Sequence, residues 1–446
     1  MADSAEYFGA LPRRRVTRIL GATGEYPLAQ ANRLASRFLL PLPVEAFDFP
    51  DKGNINQHTF LVRAGRAGTE QEYLLQRINQ QVFTRPRSVM RAMIACIGAQ
   101  RESSQRVELS EGEEWETITL VSTREGAPYL EVSNRRDSGY WRLMVKIREA
   151  RTYKSLGEIA DPRERLRVAE EAGRGLALYG DFTAGMDISG LENPLPGYRD
   201  TRVYYSQFHS VLAGNRTVDQ AASLLPLDPV VRQSTEQHFL IHLTSEEYRR
   251  RMEDPTLQRF IQLALREEGF GMTLLGEMAS AKIRTVGIHG DTKLDNFLFS
   301  TRTGRVKALI DLDTIMPHSW LVDWGDMVRS LVNVAGEKEM NLSRVQVDME
   351  IYRAVARGFL RSARKITPAE VERMVDAVEI IALELGLRFL SDYLRGDSYF
   401  KLGPADPPDL NRIRAMVQLT LFERLREKEA EARQCVQALS SKEGAP

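Results

Sequence analysis

The 446-residue chain reads as an α+β protein in two lobes, a β-rich small lobe followed by a mainly helical large lobe. Three observations predict this. Short runs of β-branched, aromatic and aliphatic residues dominate the chain up to Ile147. Long stretches with helical apolar spacing dominate the chain beyond Ile147. One strand–loop–strand–turn–strand pattern, Val286 to Ile310, interrupts that helical part. The expected division is residues 1–147 and 148–446.

In chain order, residues 1–26 read as a loosely ordered lead-in, and Leu28–Leu40 has helical apolar spacing. Thr59–Arg63, Tyr73–Ile78, Trp115–Val121 and Tyr140–Ile147 are β-prone, and Arg87–Gln100 reads as a helix opened by Pro86. A connection between lobes is expected over Met144–Ala150. Beyond it, helices are expected over Pro162–Thr183, Asp228–His242, Ser245–Ala279, Ser343–Ala363, Pro368–Arg395 and Asp409–Ala438. The third of these should bend or break at Pro255, because proline lacks the N–H that an interior helical position donates. Gly190–Thr201, rich in proline and glycine, reads as a connection.

Composition excludes several classes. Lys+Arg and Asp+Glu both number 61, so no global field recruits nucleic acid or an acidic membrane surface. Hydrophobic content of 43% is ordinary for a globular protein, and no apolar run is long enough to span a bilayer. Arg13, Arg14 and Arg15 are followed by no continuous apolar signal region. Cys96 and Cys435 form neither a metal-binding nor a redox spacing, so the expected compartment is the cytoplasm. No protein partner is implied.

The segment VGIHGDTKLDNFLFSTRTGRVKALIDLDTIMP carries the chemistry. Val286–Ile288 reads as a strand, Gly290 as a tight loop, Asn296–Phe299 as the next strand and Val306–Ile310 as its return across a turn at Ser300–Gly304. That topology places Asp291, Asn296 and Asp311 around one point. Phosphoryl transfer needs a carboxylate beside the acceptor hydroxyl and oxygen ligands for magnesium, and these three residues stand in the order and spacing that kinases use. Lys293 could reach the transferred phosphate or be a solvated lysine. Asp313 could hold a second metal or cap the loop.

These motifs resemble the aminoglycoside phosphotransferase and choline kinase superfamily, a branch of the protein-kinase-like fold. Within it they resemble the N-acetylhexosamine 1-kinase group, through His289 to Asn296, Ile310 to Pro317 and Asp323-Trp324-Gly325-Asp326. The resemblance implies an ATP- and Mg2+-dependent kinase, with Asp291 as the base and Asn296 and Asp311 on the metal. It also implies that Asp323 or Asp326 braces the catalytic loop; a helix N-cap before Met327–Val332 is the plainer account. In the small lobe, Gly53 would belong to a phosphate-covering loop, for which a β-turn is an equal account. Arg77 ends the apolar strand Tyr73–Ile78, where a guanidinium would suit phosphate oxygens, and Leu74 to Met90 resembles the same group. Two departures stand out: Arg87–Gln100 holds no glutamate, and Asn54 stands where those sugar kinases commonly carry histidine.

Arg388 and Tyr399 lie in a segment resembling the part of those kinases that contacts sugar hydroxyls or the N-acetyl group, so they are the expected acceptor residues. The plainer account pairs Arg388 with Asp392 and packs Tyr399 in the core. Leu195–Thr201 also looks like a family segment but receives no chemistry. His238 and His242 are expected one helical turn apart, and His318 is expected to line the site from a loop. The expected acceptor is thus a small molecule, a sugar phosphorylated at its anomeric hydroxyl. Alternatives are another alcohol (an aminoglycoside, choline or homoserine) and a nucleotide-binding regulatory module without turnover.

Overall fold

The computed structural model describes residues 27–50, 55–56, 58–106, 109, 113–134, 136–400, 402–403 and 406–441. The lead-in, Gly53 and Asn54 lie outside the described residues. The chain forms two compact units. The first holds the described residues up to Pro86 together with Ile118–Arg148, and the second holds Arg87–Thr117 and the chain from Glu149 onward.

The first unit is a five-stranded sheet in the spatial order Val44–Asp48, Thr59–Ala64, Gln71–Arg77, Gly139–Val145, Leu130–Val132, all antiparallel. Period-two alternation puts Phe60, Val62, Tyr73, Leu75, Trp141 and Leu143 on one face, where they form a single apolar cluster with Ala31, Leu34 and Ala35 of the helix Pro27–Ala35. That helix stops short of Leu40: Phe38 pairs with Thr123 as an isolated bridge, and Pro41 and Pro43 come next. The edge strand Val44–Asp48 was too short to announce itself. Trp115–Val121 does not form the expected strand. It is extended, and it joins the sheet as an isolated bridge of Leu120 with Met144, where Val121 N–H donates to the Leu143 carbonyl (2.8 Å) and Val145 N–H to that of Thr119 (2.9 Å).

The second unit is mainly helical. Pro162–Thr183 and Met349–Ser362 cross where Gly173 and Gly358 allow the backbones to touch. A Cβ on Gly358 would sit 1.9 Å from the Glu170 carbonyl oxygen, and one on Gly173 2.2 Å from that of Val355. Helix breaks are more frequent than periodicity suggested. Ser245–Ala279 divides into Ser245–Met252, Pro255–Arg266, Glu268–Gly271 and Thr273–Ala279; the break at Pro255 is the expected one, with Asp254 as its N-cap. The helix expected over Asp228–His242 is α-helical only over Pro229–Thr235 and continues as a 3-10 turn, Glu236–Phe239. Pro368–Arg395 divides at Arg373, and the last long helix divides at Lys428. Thr201–Leu212 is a helix that the sequence reading passed over.

Two small sheets lie among these helices. Ala150–Arg151, Phe297–Ser300 and Val306–Leu309 form one; Val286–Ile288 and Met316–His318 form the other. The strand–loop–hairpin reading of Val286 to Ile310 therefore holds, and the unforeseen strand Met316–His318 closes it. Among the described residues, no helix is long and apolar enough to cross a membrane.

Candidate active site

The loop from His289 to Asn296 begins where the strand Val286–Ile288 ends. Gly290 sits at φ +84, and a Cβ there would lie 2.6 Å from the Thr314 carbonyl oxygen, so only glycine fits the turn. The Asp323 carboxylate then accepts both the His289 N–H and the Gly290 N–H, each at 2.7 Å. Thr292 Oγ1 donates to the Asp323 carbonyl (2.6 Å), and Thr314 Oγ1 donates to the His289 carbonyl (2.8 Å). The brace is thus Asp323. Neither Asp323 nor Asp326 is an N-cap: the helix Trp320–Val332 starts earlier and is capped by Ser319, so both carboxylates project from inside it.

His289 links the two halves of the constellation. It is fully buried, and burial depresses its pKa, so the ring is neutral. Nδ1 accepts the Asp291 N–H (3.3 Å), which leaves the proton on Nε2 to donate to the Ile310 carbonyl (2.8 Å). The ring therefore ties the residue that bears the first carboxylate to the residue preceding Asp311. Ile310 N–H also bonds to the Asn296 carbonyl (2.9 Å).

Asp291, Lys293 and Asn296 converge. Asn296 Nδ2 donates to the Asp291 carbonyl (2.7 Å) and to its carboxylate (3.2 Å), and Lys293 Nζ lies 3.1 Å from the same carboxylate oxygen. Burial works against the Lys293 charge, but Asp291, Asp295 and Asp311 overcome it and hold the ammonium protonated. Asp311 is exposed and has left-handed backbone, φ 66 and ψ 58, a conformation costing a non-glycine residue about 1 kcal/mol. Asp313 is buried, 2% exposed, in the 3-10 turn next to it.

Arg388 is not paired with Asp392, whose carboxylate takes Arg395 at 2.8 Å and the N–H groups of Ser398, Tyr399 and Phe400. Instead the Arg388 guanidinium sits among four rings, with its carbon 5.2 Å from Tyr198, 4.8 Å from Tyr204, 5.6 Å from Tyr399 and 5.2 Å from Phe400. Burial opposes its charge, and the phenols and Glu384 outweigh burial. Among the described residues it forms no carboxylate ion pair. Tyr399 is 39% exposed and not core-packed.

In the first unit, Arg77 falls on the face of the apolar cluster, opposite Trp141 in register and with its guanidinium 6.0 Å from that ring. Gln76 and Arg142 are opposite one another on the other face, joined by an Arg142 Nε to Gln76 Oε1 bond of 3.0 Å. The two remaining histidine readings change. His242 lies beyond the 3-10 turn, so it does not follow His238 by one helical turn. His318 is a buried strand residue whose Nε2 bonds the Arg199 carbonyl (3.1 Å), and burial lowers its pKa to about 4.

Residues 49–359 match the model of a family described as the phosphotransferase enzyme family. The chain belongs to that family. A microcompartment-associated aminopropanol kinase, 14% identical, superposes with a TM-score of 0.51 over 91% of this chain and 98% of its own, which shows the shared fold of small sheet lobe and helical lobe. An ethanolamine kinase from Plasmodium vivax (11% identity, TM-score 0.43, 84% and 82% covered) and a choline kinase from Streptococcus pneumoniae (12%, 0.36, 92% and 98%) are also similar. By family the chain is a phosphotransferase.

Sequence reasoning missed Tyr198, Arg199 and the choice of Asp323 over Asp326. Tyr198 Oη and Arg199 Nη2 donate to the Gly290 carbonyl at 2.9 and 3.2 Å, and Arg199 also pairs with Asp326 at 2.8 Å. The family-like segment Leu195–Thr201 was the one signal for them.

Proposed function

We propose that this phosphotransferase uses ATP and Mg2+ to phosphorylate a sugar at its anomeric hydroxyl, with an N-acetylhexosamine as the acceptor. The observation that carries the reading is the convergence of Asp291, Lys293 and Asn296 on a loop that Asp323 and His289 hold in register with Asp311.

The donor set suits a hard divalent cation. Both contacts from the Asn296 amide nitrogen go to Asp291, which leaves the amide oxygen free to ligate, and Asp311 offers an exposed carboxylate from a backbone conformation that non-glycine residues adopt at a cost. Asn296 and Asp311 would hold magnesium, which when bound neutralises charge on the phosphate oxygens. Asp291 orients the acceptor hydroxyl and accepts its proton as the oxygen attacks the γ-phosphorus and the bond from that phosphorus to the departing ADP breaks. Lys293, kept protonated, steadies the transferred group. Gly53 and Arg77 serve the ATP phosphates in the sequence reading, and sheet parity adds Arg142 as a rival to Arg77.

Arg388 and Tyr399 would recognise the acceptor. A guanidinium flanked by four rings and, among the described residues, in no carboxylate ion pair repels an ammonium and offers N–H donors to hydroxyl or acyl oxygens, which favours a neutral sugar over a cationic aminoglycoside or choline. Transfer from ATP to a panel of sugars, amino sugars and amino alcohols tests this. The expected product is an acid-labile sugar 1-phosphate from an N-acetylhexosamine. Transfer confined to amino alcohols would remove the acceptor assignment and leave that of Asp291 intact.

A further inference from the structure

Leu195–Thr201 has no role in the chemistry above, yet it reaches the centre of the loop. The Tyr198 phenol and the Arg199 guanidinium both donate to the carbonyl of Gly290, the residue between His289 and Asp291. Asp323 holds the N–H of that same residue. Gly290 is the position with the greatest backbone freedom in the loop, and it is clamped at both its N–H and its carbonyl. Arg199 is itself fixed, with left-handed φ 62, ion pairs to Asp326 and Glu384 (2.8 and 3.4 Å), and its backbone N–H on Tyr204 Oη (2.7 Å).

Tyr198 also faces the other way. Its ring stands 4.9 Å from the Arg199 guanidinium carbon and 5.2 Å from that of Arg388. The interaction between a cation and a ring strengthens as water is removed from the cation. An acceptor that covers Arg388 would therefore tighten its hold on the Tyr198 ring, whose hydroxyl is bonded to the loop. We infer that Tyr198 is a positioning residue that couples acceptor engagement at Arg388 to the placement of Asp291. The inference rests on the roles proposed for Asp291 and Arg388.

The test is kinetic. Tyr198→Phe keeps the ring and removes the bond to Gly290. Transfer from ATP to N-acetylglucosamine and slow hydrolysis of ATP, where water replaces the acceptor, are both measured, beside Asp291→Asn. Misplacing a reacting group by about 1 Å can cost up to about 100-fold, so kcat for Tyr198→Phe is expected to fall about 10-fold or more, with acceptor KM within about 2-fold and the melting temperature near wild type. In a cycle with Arg388→Gln, the two effects on transfer should fall well short of additive. An unchanged kcat in Tyr198→Phe while Asp291→Asn is inactive overturns the inference alone, as does strict additivity. Retained activity in Asp291→Asn would instead overturn the site reading on which it rests. Should Tyr198→Phe fail to fold, amide exchange over 289–292 decides. Slowing by N-acetylglucosamine in the wild type but not in Arg388→Gln supports the coupling, and equal behaviour in both overturns it.

Discussion

Asp323 and Asp326 are three positions apart inside one helix, and what faces each gives them different work. Asp323 meets two backbone N–H groups of the loop, and burial pushes its pKa up to about 7 against their pull. For Asp326 burial also works upward, but Arg199 and Arg329 outweigh it and bring the pKa down to about 2. A carboxyl whose folded pKa lies below its unfolded value stabilises the fold above the unfolded pKa, near 3.8, and loses that stabilisation as pH falls through the folded value. Asp326→Asn should therefore lower stability at pH 7 by on the order of 2–3 kcal/mol, and the gap should close between about pH 4 and pH 2. Denaturant titrations of the two proteins across that range check it; a gap independent of pH would show that the carboxylate charge is not the stabilising feature. At this scale the motif His289 to Asn296 was legible because its residues are neighbours in sequence. The Tyr198 bond to Gly290 spans 92 positions and the Asp323 brace 34, and no local pattern encodes either.

Elements were legible where one physical rule dominated. Pro255 broke its helix, and Pro162–Thr183 ran as its apolar spacing said. Breaks at Arg373 and Lys428 carry no proline, and periodicity passes through them unchanged. Thr201–Leu212 hid behind its Val203, Tyr204, Tyr205 and Phe208, β-favouring types whose helical spacing and Asp200 cap were the available signal. In the sheet of the first unit, one position of parity puts two cations on opposite faces. Arg77 shares its face with the apolar cluster, whereas Arg142 and Gln76 share the other. Arg142→Ala should raise the KM for ATP by about 10-fold or more, as expected when a charge-assisted contact to phosphate is lost, with Arg77→Ala within about 3-fold of wild type. The reverse order in steady-state kinetics would favour Arg77 over Arg142.

At the scale of the molecule, alternation giving way to helical spacing was enough to anticipate a sheet lobe and a helical lobe. The helix Pro86–Ser104 was expected with the first and forms its contacts in the second unit, an allegiance that depends on long-range packing. Every residue proposed for chemistry at the acceptor hydroxyl, from Asp291 to Tyr399, belongs to the second unit. The central claim is that Asp291 is the base for phosphoryl transfer, and a general base contributes about 100- to 10,000-fold. The most direct measurement is the single-turnover rate of transfer from γ-labelled ATP in wild type and Asp291→Asn, each with its melting temperature recorded. The account predicts a loss of at least about 100-fold in a variant as stable as the wild type. A folded Asp291→Asn protein that transfers phosphate within a few-fold of wild type would contradict it.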